Sequence, residues 1–237
     1  MKIIPYARQY IDRSDISEVS KALKRDFITQ GPIIEKFEKK ISKLTTSKFS
    51  VAANSATSLL HISCLALGLK KGDYLWTTPN SYLSSATCAL LCGAKVDFID
   101  IDERDFNLSI EYLEKKLIKA KKNKKLPKIL IAVSLGGLPC DMKELKKLSL
   151  KFKFKIIEDA SHSLGAFYDK KPVGSNKYSD ITIFSFHAVK IITTGEGGMA
   201  TTNSPQIYKD LKLFRSQGVT RNHKDFKNKK NPTWYYE

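Results

Sequence analysis

A single lysine stands where a strand-forming run meets a glycine-rich turn. The stretch Ser179–Gly198 reads SDITIFSFHAVKIITTGEGG, in which a β-branched and aromatic run leads to Ser185, and Lys190 follows after a short link. Val189 and Ile191 flank Lys190, and an apolar setting lowers the pKa of a lysine because it disfavours the ammonium form. The free amine can attack a carbonyl carbon and form a Schiff base. From this stretch alone, a lysine that extends from a strand end into water is the simpler interpretation.

A carboxylate and a histidine close another predicted strand. The run Lys155–Glu158 leads directly into Asp159, and His162 follows three residues later. A carboxylate at the end of a buried strand is costly unless it meets a cation, and a protonated pyridine nitrogen would be such a cation. His162 could donate to a phenolic oxygen on the same ring. The alternative is that Asp159 caps a turn and His162 is satisfied within the core.

Two junctions between a strand and a helix carry further polar residues. Ser55, Ala56 and Thr57 lie at a predicted helix N-terminus, where free backbone N–H groups bind phosphate well; an ordinary serine cap is the alternative. Tyr82 opens the next helix, and its ring could lie on a flat heterocycle or be a core aromatic. The hydroxyl of Ser185 could join the phosphate site.

These parts together match the needs of pyridoxal phosphate. The cofactor needs a phosphate site, an aromatic against its ring, a lysine and an aspartate that keeps the pyridine protonated, so that the ring acts as an electron sink. The order of these parts along the chain also agrees. Neither a GxxxxGK[ST] nor a GxGxxG motif occurs, so the P-loop and Rossmann dinucleotide folds lose support.

The elements that must position these residues alternate between strand and helix. This alternation predicts an α/β fold with a mainly parallel sheet sandwiched by helices, in which ligands bind beyond the carboxyl ends of the strands. The predicted strands are Phe49–Ala53, Tyr74–Thr77, Lys95–Ile101, Lys128–Val133, Lys155–Glu158, Ile181–Phe184 and Met199–Thr202. The predicted helices are one capped by Ser14 and running to Asp26, one beginning at Pro32, and Ser55–Leu67, Tyr82–Cys92, Ile110–Lys122, Met142–Phe152 and Gln206–Ser216.

Composition narrows the class of protein. The 237 residues are 42% hydrophobic, enough for a packed core, and the absence of a run of about 18 apolar residues argues against a membrane span. The N-terminus lacks an apolar signal core, so we expect a cytoplasmic protein. Four cysteines without a CxxC pair predict reduced, mostly buried thiols and no metal site. The net charge of +17 comes from lysine clusters without interleaved aromatics, which favours a solvated surface over nucleic-acid binding.

The segments EDASHSLGA and SFHAVKIITTGEGG resemble the DegT/DnrJ/EryC1/StrS sugar aminotransferases. These are fold-type I pyridoxal-phosphate enzymes that act as dimers on nucleotide-linked keto-sugars, and the resemblance covers essentially the whole chain. The segments IPYARQYIDRSDI, DFITQGP and VKIITTGEGGMATTN are most similar to the branch of pseudaminic acid biosynthesis. That branch uses glutamate to aminate C4 of a UDP-linked 4-keto-6-deoxy-N-acetyl sugar. Amination at C3 or C4 of another nucleotide sugar remains an alternative.

The resemblance also implies roles for individual residues. Lys190 would bond the cofactor and shuttle a proton, Asp159 would pair with the pyridinium, and His162 would lie near the phenolic oxygen. Tyr82 would stack on the ring. The phosphate would be held by the Ala56 N–H group, Thr57 and Ser185. The residues expected on the sugar-nucleotide side are Tyr6, Asp26, Phe27, Ile28 and Thr29.

One departure from the family concerns the end of the chain. The family continues beyond a motif like the terminal WYYE into a segment whose asparagine completes the phosphate site of the partner subunit, and then into a small C-terminal domain. We therefore expect an N-terminal fragment, with residues 1–30 as an N-terminal segment and helix and residues 31–237 as the cofactor-binding large domain. The full-length protein is expected to be a homodimer. An inactive binding or regulatory module is a further alternative, whereas a sugar dehydratase of this fold would carry histidine in place of Lys190.

Overall fold

The computed structural model describes residues 3–220 together with Lys224, Phe226 and Asn228. The strands are β1 Phe49–Ala53, β2 Tyr74–Thr77, β3 Lys95–Phe98, β4 Ile129–Val133, β5 Lys155–Asp159, β6 Phe167–Tyr168, β7 Lys171–Pro172, β8 Ile181–Ser185 and β9 Gly198–Thr202. The helices are α1 Arg13–Leu23, α2 Pro32–Thr45, α3 Ala56–Ala66, α4 Ser84–Leu91, α5 Ile110–Lys122, α6 Met142–Phe152 and α7 Pro205–Arg215.

The main sheet has seven strands in the order β1-β9-β8-β5-β4-β2-β3. The strands from β8 to β3 pair in parallel, and β9 runs antiparallel to both β1 and β8. The predicted α/β fold with a mainly parallel sheet is confirmed. The reversed strand sets Gly198 opposite both Ala53 and Ser185, and it thereby joins two of the predicted site segments at one edge of the sheet.

Apolar side chains pack on both faces of the sheet. In β4, Ile129 and Ile131 pack with residues of α3 and α4, whereas Leu130 and Ala132 pack with residues of α5 and α6. The strand therefore reads as a continuous apolar run, because alternate side chains enter two different cores. A third cluster joins Ile41 of α2 to Phe184 and Met199.

The first helix differs from the prediction at both ends. It begins at Arg13 and is capped by Asp12, not Ser14. The Asp12 carboxylate accepts hydrogen bonds from the N–H groups of Ser14 and Asp15, and the Asp15 carboxylate accepts one from the Asp12 N–H. This capping box binds more of the first free N–H groups than a Ser14 cap would. The helix ends at Leu23, short of the predicted Asp26, and none of its residues is buried.

Other boundaries shift where side chains compete for backbone groups or where turn signals are weak. The third strand stops at Phe98 instead of Ile101, and the Ile101 N–H bonds the Asp100 side chain. The small hairpin of β6 and β7 was not predicted. Its turn residues Asp169 and Lys170 both have positive φ, the conformation that Asn-Gly usually signals.

Within the described residues, no helix is long and apolar enough to cross a membrane. In that same part of the chain, no group of three or more His, Cys, Asp or Glu side chains could hold a metal ion. All four cysteines carry free thiols, and Cys64, Cys88 and Cys140 are buried. The division between residues 1–30 and 31–237 stays a prediction.

Candidate active site

A cavity of about 550 Å³ opens at the carboxyl ends of the parallel strands, the place expected for a ligand in a sheet of this kind. The predicted site residues that line it are Tyr6, Ala56, Thr57, Tyr82, Asp159, His162, Ser185 and Lys190. Asp26, Phe27, Ile28 and Thr29 do not line it and are exposed. The structure thus brings together the predicted cofactor site and Tyr6, but not the other residues expected on the sugar side.

Lys190 lies in the link after β8, and its Nζ is 2.7 Å from Nε2 of His162. Partial burial lowers the pKa of Lys190, although the nearby Asp159 charge acts in the opposite direction. The sequence suggested that the apolar neighbours of Lys190 lower its pKa, and this cause is wrong. Val189 and Ile191 are 43% and 61% exposed and do not enclose the amine. The desolvation comes from the half-buried position of the lysine in the cavity wall.

The same contact also affects the pKa of His162. Burial lowers the pKa of His162, the positive charge of Lys190 lowers it further, and Asp159 opposes both effects. Both effects favour the uncharged imidazole. Lys190 Nζ and His162 Nε2 share one hydrogen bond at the cavity wall, in which the donor is set by the tautomer of the imidazole.

Asp159, at the end of β5, is 5% exposed, and its carboxylate accepts three hydrogen bonds from neutral donors. The N–H and hydroxyl groups of Ser161 donate to Oδ1 at 3.2 and 2.6 Å, and the Ser85 hydroxyl donates to Oδ2 at 2.8 Å. These bonds hold both carboxylate oxygens in place inside the protein. Ser85 and Ser161 were not among the predicted residues, since a lone serine gives no signal of its spatial partner.

The N-terminus of α3 forms the other end of the cavity. Ser55 caps this helix by accepting from Ser58, so the N–H groups of Ala56 and Thr57 have no acceptor within the helix. Gly198 permits a close approach, because a Cβ atom there would lie 2.6 Å from the Ala56 nitrogen. Ser185 lies opposite Gly198 in the sheet. Together these groups can hold an anion such as a phosphate.

Tyr6 and Tyr82 lie at the rim of the cavity and not in the core. They are 95% and 77% exposed while still contributing to the lining. The alternative of a core aromatic is therefore wrong for Tyr82, and its ring is free to contact a bound molecule.

Ser134, directly after β4, is a cavity residue that sequence reasoning missed. It is 1% exposed, and its hydroxyl has no hydrogen-bond partner among the described residues. Its place at the carboxyl end of a strand was the available signal. A buried unpaired hydroxyl in a cavity wall fits a polar ligand.

The donor set fits pyridoxal phosphate at both ends. The α3 N-terminus beside Gly198 suits the phosphate, and the buried Asp159 carboxylate suits a protonated ring nitrogen. The amine of Lys190 and the unpaired hydroxyl of Ser134 border the same cavity. The residues present therefore match the group in charge and in hydrogen-bonding capacity.

Comparisons with known proteins agree with this geometry. Residues 9–234 match the DegT/DnrJ/EryC1/StrS aminotransferase family. Over 219 residues the chain is 41% identical to the UDP-4-amino-4,6-dideoxy-N-acetyl-beta-L-altrosamine transaminase of Campylobacter jejuni, covering 92% of this chain and 56% of that protein.

Two solved structures show the same likeness in three dimensions. Helicobacter pylori PseC, an aminotransferase involved in the biosynthesis of pseudoaminic acid, superposes with a TM-score of 0.84 at 30% identity, over 96% of this chain and 59% of that one. Spr1654 of Streptococcus pneumoniae, named as a putative sugar aminotransferase and solved in its PMP form, gives a TM-score of 0.83 at 30% identity, over 92% of this chain and 58% of that one. The chain thus spans somewhat more than half the length of the proteins it matches.

Proposed function

We propose that the chain forms the cofactor-binding part of a nucleotide-sugar aminotransferase. The chain belongs to the DegT/DnrJ/EryC1/StrS aminotransferase family. Enzymes of this family depend on pyridoxal phosphate. The observation that carries the proposal is the Lys190–His162 contact of 2.7 Å in a cavity that also holds the buried carboxylate of Asp159. An amine, a proton acceptor and an anion so arranged suit transfer of an amino group.

When bound, pyridoxal phosphate supplies an electron sink for the charge that develops as a proton leaves the amino-bearing carbon. Lys190 would hold the cofactor covalently through Nζ, and its lowered pKa favours the uncharged amine that bonding and proton transfer require. His162 would lie near the phenolic oxygen of the cofactor, and it would take a proton from the ammonium form of Lys190 to leave the uncharged amine. Asp159 would keep the proton on the ring nitrogen.

The remaining lining residues would orient the cofactor. The Ala56 N–H group and the hydroxyls of Thr57 and Ser185 would bind its phosphate, with the dipole of α3 favouring the negative charge. Tyr82 would lie against the ring face. Tyr6, on the rim, would contact the sugar nucleotide, and Asp26–Thr29 would need to approach from outside the cavity to do so.

For the substrate, we propose C4 of a UDP-linked 4-keto-6-deoxy-N-acetyl sugar, with glutamate as the amino donor, in pseudaminic acid or related surface-sugar biosynthesis. The identity of 41% to the Campylobacter transaminase and the likeness to the Helicobacter enzyme support this choice. Another nucleotide sugar aminated at C3 or C4 is the alternative. A cytoplasmic homodimer stays part of the proposal.

The test is reduction of the protein with borohydride in the presence of pyridoxal phosphate, followed by peptide mass spectrometry. The expected result is a yellow protein that loses its visible band on reduction and carries the added mass on Lys190. Lys190→Ala should lose both signals, and Lys146→Ala, at a half-buried lysine of α6 outside the cavity, should keep them.

Amination of the UDP-linked 4-keto sugar with glutamate then tests the substrate. A folded protein that stays colourless with the cofactor would contradict the family chemistry, whereas a yellow protein that aminates a different sugar would contradict only the substrate.

A further inference from the structure

The carboxylate of Asp159 is held from two sides by different elements. Ser161, two residues along the chain, holds Oδ1, whereas Ser85 of α4 holds Oδ2 at 2.8 Å across 74 positions of sequence. Ser85 is fully buried at 0% exposure. The hydrogen bond therefore ties the first turn of α4 to the end of β5.

Ser85 itself does not line the cavity, so it acts on a ligand only through other groups. Its oxygen is 3.1 Å from the hydroxyl of Ser81, which does line the cavity. A chain of hydroxyls thus runs from the cavity wall through Ser85 to the buried carboxylate. Ser81 can orient the Ser85 hydroxyl so that its proton points at Asp159.

We propose that Ser85 is a positioning residue that fixes the Asp159 carboxylate toward the ring nitrogen of pyridoxal phosphate; the proposal rests on the proposed function. The terminal torsion of an aspartate is broad, so a carboxylate held at Oδ1 alone has rotational freedom. Holding Oδ2 removes that freedom. The contact with the ring nitrogen is directional, and it weakens when the carboxylate turns.

The experiment compares two ligands whose difference lies at the ring nitrogen. Dissociation constants are measured by absorbance titration for pyridoxal phosphate and for its 1-deaza analogue, in which a C–H group replaces that nitrogen. The variants are Ser85→Ala, Ser85→Thr, which keeps the hydroxyl, and Ser63→Ala. Ser63 is a matched control because it is fully buried in α3 and its hydroxyl has no partner among the described residues.

Ser85→Ala should weaken binding of pyridoxal phosphate about tenfold, the scale of one lost hydrogen bond to a charged group. Binding of the deaza analogue should change by less than about twofold, because the analogue makes no use of Asp159. Ser85→Thr should restore most of the affinity, and Ser63→Ala should affect neither ligand.

Equal weakening of both ligands would assign Ser85 to packing and overturn the proposal, and so would unchanged binding of pyridoxal phosphate. If Ser85→Ala does not fold, Ser85→Thr and Ser85→Val give the same comparison, since they differ only in a hydroxyl against a methyl group. A wild-type protein that binds neither ligand would overturn the proposed function as well, which separates the two failures.

Discussion

Glu158 is a buried carboxyl group that the proposed chemistry does not use. It is 5% exposed, lies opposite Thr182 in the sheet, and accepts one hydrogen bond from the Thr182 hydroxyl at 3.0 Å. Burial raises the pKa of Glu158 to about 7, the nearby charge of Asp159 raises it further, and the Thr182 bond opposes both effects. Much of this side chain is therefore protonated near neutral pH.

This pKa links folding stability to pH with a definite sign. The folded pKa of about 7 lies above the ordinary value of 4.5, so between these values the folded chain binds the proton more tightly than the unfolded chain. Stability from this group is fully present below pH 4.5 and is lost as the pH rises through 7. The interval between the two values, at about 1.4 kcal/mol per pH unit, gives a loss of about 3 kcal/mol.

The substitution Glu158→Gln keeps the shape of the side chain and removes its ionisable group. In urea unfolding, the free energy of unfolding of the variant relative to wild type should rise by about 2–3 kcal/mol from pH 5 to pH 8. Glu103→Gln, at an exposed turn position, is the matched control and should show no such gain. The reasoning would be refuted if the difference in unfolding free energy between Glu158→Gln and wild type stayed constant from pH 5 to pH 8, or if it changed in the opposite direction.

Two further predictions concern close backbone contacts. Gly198→Ala places a Cβ atom 2.6 Å from the Ala56 nitrogen, and the backbone there cannot rotate away as a side chain can. We therefore expect a loss of about 1–3 kcal/mol in the free energy of unfolding. Cofactor binding, measured by absorbance titration, should weaken at least about tenfold. Arg215→Met removes the partner of Glu38 from a pair 2.6 Å apart whose side chains are 27% and 10% exposed. We expect about 2–3 kcal/mol of lost stability in urea unfolding, largely restored by adding Glu38→Gln.

Element positions were predictable where the sequence carries explicit local signals. The bounds of Tyr74–Thr77, Ile110–Lys122 and Met142–Phe152 agree with the structure residue for residue, because apolar periodicity and flanking turn or cap residues coincide there. The hairpin at Asp169 and Lys170 was not predictable in this way. Its positive φ values fall on Asp169, a residue type that tolerates them, but also on Lys170, where a turn of this kind usually has glycine.

The candidate site was predictable in part for a different reason. Residues such as Asp159 and Lys190 follow strands, and parallel topology gathers strand ends at one edge. Ser85 belongs to a helix, and its link to Asp159 depends on how α4 packs against the sheet, which no local pattern encodes. Ser134 follows a strand, but as a single serine it had no chemical feature to distinguish it from the other serines of the chain.

The pair Glu158 and Asp159 shows how one strand separates two carboxyl groups. Successive side chains of a strand point to opposite faces, so Glu158 enters the α6 side with a single donor, while Asp159 enters the α4 side and receives three hydrogen bonds. Burial with a single donor raises the pKa of Glu158 to about 7, whereas three donors hold the Asp159 carboxylate in place. Of the two carboxyl groups, Asp159 lines the cavity, on the side where a cationic ring nitrogen would lie. Because the raised pKa of Glu158 lessens its negative charge near neutral pH, it also lessens the repulsion between the two adjacent buried carboxyl groups.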